Sequence, residues 1–149
     1  MRTNIYFLLH SILLVTYFGC RNSEKEKTSF PDYLQNTSWI IRSGGLIMQD
    51  GEKKYDLFPK DTTLIFSYYA VDFLDEKKFV SYDSWECGND CFTTVYGRYY
   101  FTEADQIKMK IDSTSTSGTC QAPTQIFNPA KEMTFDIVHQ GQQLQLIKK

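Results

Sequence analysis

The chain has 149 residues, four cysteines at positions 20, 87, 91 and 120, and two histidines. These are the residue types from which a metal centre, a redox pair or an activated nucleophile is built. Cys87, Cys91, Cys120 and His139 have acceptable zinc-ligand chemistry, but their spacing matches no zinc finger or ribbon and His139 lies far along the chain. A thioredoxin-like redox pair needs two intervening residues at the start of a helix. Three separate Cys87 from Cys91, and the surrounding sequence reads as strand and turn.

Hydrolytic chemistry has less to work with. His139 is the only histidine after the first nineteen residues and stands beside the turn-forming Gln140-Gly141, while no Gly-x-Ser-x-Gly is present. Asp72, Asp75, Asp83, Glu86 and Asp90 supply carboxylates, but they fall in turn-like stretches where charge is normally solvated, and no pair is singled out for acid–base work. The segment DSWECGND lacks the alternating acidic ligands and glycine of a calcium loop. The sequence therefore assigns no catalytic residue, no metal ligand and no cofactor, and the expectation is a protein that is not an enzyme.

The remaining cysteine belongs to a different kind of chemistry. Met1-Arg2-Thr3-Asn4 is a short positive start, and Ile5 to Phe18 is an apolar run of about 14 residues, shorter than the ~20 needed to cross a bilayer as a helix. Gly19 is a small residue immediately before Cys20, which completes the layout of a secretory signal. Tyr17-Phe18-Gly19-Cys20 resembles the relaxed lipobox of Bacteroidetes-like lipoproteins. The resemblance implies cleavage before Cys20, acylation of its thiol with fatty acid such as palmitate, and attachment to membrane lipid at the cell envelope, on the periplasmic face or the outer membrane. Residues 1–19 are then a lipoprotein signal peptide. Residues 20–29, polar and charged with nothing to bury, are expected to form a flexible, solvated tether, leaving 30–149 as one domain.

An envelope location is oxidising, so with Cys20 acylated, Cys87, Cys91 and Cys120 can form one bridge. Cys91 with Cys120 is favoured because the first opens a strand and the second lies in the loop after that strand's partner. Cys87 with Cys120 is the alternative. Formal charge is −2 with both signs spread evenly, so a nucleic-acid partner has no electrostatic footprint.

The folded part reads as strands throughout. Trp39-Ile40-Ile41, then Leu46-Ile47-Met48 up to the hairpin signal Asp50-Gly51, then Lys54 to Leu57 form the first group. Thr63 to Ser67 and Lys78 to Tyr82 are β-rich runs. Period-two alternation places Val95, Gly97, Tyr99 and Phe101 on one face, Ile107, Met109 and Ile111 on another, and Met133, Phe135 and Ile137 on a third, with Leu144 and Leu146 closing the chain. Hairpin-length turns and the lack of a long crossover predict an all-β domain, a small antiparallel meander closed into a barrel.

YLQNTSWIIRS, VYGRYYFTEADQIKMKI and MTFDIVHQGQQLQLIKK, with Cys120 between the last two, resemble the strand-and-turn pattern of lipocalin-like and META-domain lipoproteins over residues 33 to 149. The lipocalin-like side of the resemblance implies a hollow barrel that takes a small apolar or amphipathic ligand. Trp39, Tyr99, Phe101, Met109 and Phe135 are the residues expected to line its interior. The META side implies a filled core and an envelope-stress or protein-interaction role.

Overall fold

Along Val95, Gly97, Tyr99 and along Ile107, Met109, Ile111, every second residue is buried, and the residues between them carry charge or hydroxyls. That alternation is the signature of a sheet with one face on a core. The computed structural model describes residues 30–46, 52–86, 91–120 and 122–149. The expected signal peptide (1–19), the expected tether (20–29) with Cys20, the expected Asp50-Gly51 turn and Cys87 lie outside the described residues.

Eight strands are seen among them: β1 (Thr37–Ile41), β2 (Lys54–Pro59), β3 (Tyr68–Phe73), β4 (Lys78–Ser84), β5 (Cys91–Glu103), β6 (Gln106–Gly118), β7 (Ala122–Gln140) and β8 (Gln143–Lys148). They form a closed barrel in the order β1-β2-β8-β7-β6-β5-β4-β3, with every neighbouring pair antiparallel. The expected all-β closed barrel is what the chain forms. β3 to β8 are a meander, and their turns fall where the sequence places them: Ala104-Asp105 between the paired Glu103 and Gln106, and Gly141-Gln142 between the paired Gln140 and Gln143.

One connection departs from the hairpin pattern. β2 and β3 flank β1 on opposite sides, so residues 60–67 must carry the chain past β1 and back along the barrel. Thr63 to Ser67, expected as a strand, is this connection, and the strand begins at Tyr68. The cause is local. Asp61 accepts the Thr63 amide on Oδ1 at 2.9 Å and the Leu64 amide on its carbonyl at 3.1 Å, a turn that competes with extension. The apolar side chains that gave the segment its β character stay outside: Leu64, Ile65 and Phe66 are 42%, 66% and 45% exposed.

The interior of the barrel is filled. Tyr55, Leu57, Val71, Phe73, Phe79, Val95, Tyr99, Ile107, Met109, Ile111, Phe135 and Leu146 point inward and are buried together. An eight-stranded barrel has an interior just wide enough for such side chains. Phe73 and Tyr99 meet edge to face with ring centroids 4.9 Å apart, and Tyr55 and Phe135 do so at 6.1 Å. The buried hydroxyl of Ser81 donates to the Ala70 carbonyl at 2.9 Å.

Both ends carry apolar stoppers. At one end residues 30–36 fold over the opening and insert Leu34, which is fully buried in the core. At the other end β7 departs from its ladder with β6: Ile111 faces Lys131 but Ser113 faces Ile126, so residues 127–130 bulge out and Phe127 packs onto the core, as does Tyr69 with its edge partner Trp85. Beyond this second end β5, β6 and β7 continue as a three-stranded arm. The bridge Cys91–Cys120, with Cα atoms 5.0 Å apart, ties its tip.

Candidate functional site

The end covered by residues 30–36 is where the structure gathers polar and aromatic groups that the barrel does not consume. Asp32 anchors the cover: both of its carboxylate oxygens accept the Tyr99 hydroxyl at 3.1 Å, and Oδ1 also takes the Gln35 amide at 3.1 Å. Gln35 Nε2 in turn donates to Asp75 in the β3–β4 turn at 3.1 Å. Tyr33, between Asp32 and the buried Leu34, lies across the rim with its ring 4.9 Å from Phe101 and 5.0 Å from His139. Its hydroxyl and His139 Nε2 share one acceptor, Asp105 Oδ1, at 3.4 and 3.2 Å.

Next to Tyr33 is an open groove of about 580 Å³ lined by Tyr33, Trp39, Pro59, His139, Gln142 and Leu144. β1 brings Trp39 and β2 brings Pro59, its register partner. The 30–36 cover brings Tyr33, and the β7–β8 hairpin brings His139, Gln142 and Leu144. Trp39 shares the inward parity of Ile41, but it sits at the last layer of the wall and stays half-buried, with its indole nitrogen donating to Thr37 Oγ1 at 2.7 Å. The groove is thus apolar on its floor and carries an imidazole and an amide at its edge. That combination holds the apolar part of an amphipathic group while a polar part remains in water.

Acid–base chemistry is not what this rim is tuned for. Burial first, then the negative charge of Asp105, pushes the Tyr33 phenol well above its ordinary range. Burial and the carboxylate of Asp32 do the same to Tyr99. Both hydroxyls are held protonated, as donors that fasten the cover.

The residues expected to share one ligand space divide between two environments. Tyr99, Met109 and Phe135 are at most 1% exposed and belong to the packed core. Trp39 and Phe101 are half-buried at the rim. Cys91 and Cys120 are bonded to each other at the arm, the barrel end opposite His139, so the zinc-type grouping of these residues is not assembled. Tyr96 and Arg98 face outward and are exposed, and Arg98 forms a two-point pair with Asp112 at 2.8 and 3.0 Å.

Comparison with known protein families, characterised proteins and solved structures finds no match. No comparison identifies a lipocalin-like or META family. Sequence reasoning missed Asp32, Tyr33, Leu34, Pro59, Gln142 and Leu144 as members of one rim. The available signal was the concentration of Phe30, Tyr33 and Leu34 in a seven-residue entry turn, a length of chain with no other reason to carry three large apolar groups.

Proposed function

We propose that this chain is a lipoprotein of the cell envelope, acylated at Cys20, whose barrel works as a contact module through its outer surface rather than as a carrier with a ligand in its lumen. The observation that carries the reading is the interior. Leu34 from one end, Phe127 from the other and the aromatic layers between them fill the space a ligand would occupy. This favours the filled-core behaviour implied by the META-domain resemblance. The contact surface is the 60–67 connection, where three adjacent large apolar side chains, Leu64, Ile65 and Phe66, are held at the surface. Single exposed apolar residues are commonplace, whereas a contiguous group is a feature of interaction sites.

The test is site-specific photocrosslinking from position 65 in cells. A discrete protein adduct is expected, and it should vanish on Phe66→Ser in protein with unchanged near-ultraviolet circular dichroism. Crosslinks only to lipid or to no partner would overturn the contact reading. The groove beside Trp39 supports a second reading, a small amphipathic ligand held at the rim. Saturable binding of an apolar fluorescent probe to detergent-free protein, lost on Leu144→Asp, would favour it.

A further inference from the structure

The rim groove lies at the end of the barrel where the chain arrives from Cys20. Cys20 and Phe30 are ten positions apart, and a fully extended stretch of that length spans no more than about 35 Å. From Asp32 onward the chain is fixed: Asp32 to Tyr99, Tyr33 to Asp105 and Leu34 in the core. If Cys20 carries acyl chains, the barrel end that bears Tyr33 is the end held nearest the bilayer. The same end presents an indole, a phenol, a proline and a leucine together. Tyr and Trp, with an apolar body and a polar tip, favour the headgroup level of a membrane.

We propose that the groove of Tyr33, Trp39, Pro59 and Leu144 is a membrane-docking surface that seats this barrel end on the lipid interface beside its own anchor. The inference rests on acylation at Cys20 and adds to it an orientation: the rim faces lipid, and the disulfide-tied arm faces away. Charge divides the rim into two sectors. The groove sector, on β1, β2 and the β7–β8 hairpin, has no carboxylate among its lining residues. The remaining sector carries Asp75 and Glu76 with Lys77 and Lys78 in the β3–β4 turn, and Glu103 and Asp105 in the β5–β6 turn, so carboxylates are in excess there, and Asp105 borders the groove through Tyr33 and His139. These carboxylates are repelled by anionic headgroups, so the surface suits a zwitterionic interface, with the barrel tilted onto its groove sector. The groove adds an apolar contact with the interface to the anchoring by acyl chains.

The chain's two tryptophans mark the two ends. Trp39 lies in the groove, and Trp85 lies at the opposite end against Tyr69, with ring centroids 5.3 Å apart. Trp85→Phe leaves Trp39 as sole reporter, and Trp39→Phe leaves Trp85. The acylated mature chain, starting at Cys20, is reconstituted in phosphatidylcholine vesicles brominated at shallow acyl positions. Trp39 emission is expected to shift to the blue and be strongly quenched, while Trp85 emission is unchanged. Wild-type protein, with both indoles, should lose only the blue-shifted part of its emission, which distinguishes the two ends even if either variant misfolds. Replacing part of the lipid with anionic phosphatidylglycerol should weaken the quenching.

Membrane-bound protein with no quenching of Trp39, with Trp85 quenched as strongly, or with quenching increased by anionic lipid would overturn the docking surface and leave the anchor standing. Failure of the anchor shows separately, as unchanged processing together with equal membrane fractionation of wild-type chain and Cys20→Ala. In that event the unacylated chain is added to the same vesicles. Trp39 quenching then retains the surface, and its absence overturns it.

Discussion

The ring of Phe79 on β4 lies directly over Gly97 of β5, its register partner: a Cβ at Gly97 would stand 2.5 Å from Phe79 Cε1 and closer still to the Lys110 carbonyl oxygen. The glycine is what lets the two strands bring a large ring across the sheet beside the β-bulge between Tyr96 and Gly97. Gly97→Ala is therefore expected to cost about 3 kcal/mol by overpacking. Phe79→Ala should cost about 3–5 kcal/mol by leaving a cavity. In the double variant the ring conflict is gone but the clash with Lys110 persists, so the loss should be less than additive without returning to the Phe79→Ala value. Urea unfolding of the three variants checks the cycle, and a neutral Gly97→Ala would mean that the Phe79 ring does not lie over Gly97.

The Tyr99–Asp32 bond joins residues far apart in sequence and makes the cover of the barrel sensitive to alkali. Tyr99 and Tyr33 have folded-state phenol pKa values raised above 10.0, first by burial and then by the carboxylates of Asp32 and Asp105. A group whose folded pKa is raised binds its proton more tightly in the native state. The resulting stability is complete below the unfolded value and is lost as pH rises past it. Unfolding free energy is expected to fall as pH rises above about 10, the unperturbed tyrosine value. Tyr99→Phe should flatten that fall while costing about 1.5 kcal/mol at neutral pH from the lost bond to a charged acceptor. Urea midpoints across the alkaline range test both effects. A wild-type alkaline slope identical to that of Tyr99→Phe would show that the phenol is not protected in the native state.

Which parts of this architecture the sequence reveals depends on how far apart the partners are. β5, β6 and β8 announce themselves because one face of each strand meets the core at every second residue, as in Ile107, Met109 and Ile111 against Lys108 and Lys110. β3 is obscured. Ala70 has the outward parity yet is fully buried, so Tyr68 to Phe73 does not alternate cleanly, while the apolar run just before it belongs to an exposed connection. The rim is harder still. Asp32 with Tyr99, Tyr33 with Asp105 and Trp39 with Leu144 are set by barrel closure, and no local period carries that information. The bridge was legible for a physical reason: Cys91 lies opposite Gly118 at the strand ends, so the hairpin itself brings position 120 close.

That bridge closes a separation of 29 residues. By chain entropy it is worth about 3–4 kcal/mol. Non-reducing peptide mapping should recover Cys91 joined to Cys120. Cys91→Ser/Cys120→Ser is expected to raise hydrogen exchange in residues 91–94 and 115–126, the arm, before it affects Ile107 or Phe135. Recovery of Cys120 as a free thiol from native protein would exclude the pairing.

The division between core and rim predicts graded losses from residues that the sequence alone placed in one common space. Phe135 has no exposed surface and meets Tyr55 edge to face, so Phe135→Ala should cost about 3–5 kcal/mol. Phe101 is half-buried beneath Tyr33, where a truncated side chain leaves a hollow that Tyr33 or water can fill, and Phe101→Ala should cost about half as much. Trp39, placed by sequence among the core residues, lies on the groove. Trp39→Ala should therefore cost less than Phe135→Ala despite the larger side chain. Denaturant midpoints for the three variants, with an apolar fluorescent probe present in parallel, separate the alternatives. Equal losses at all three positions would mean that the rim is as closely packed as the interior. A small loss at Phe135 together with probe uptake by wild-type protein would mean that the barrel is hollow and that a ligand in its lumen is the better reading.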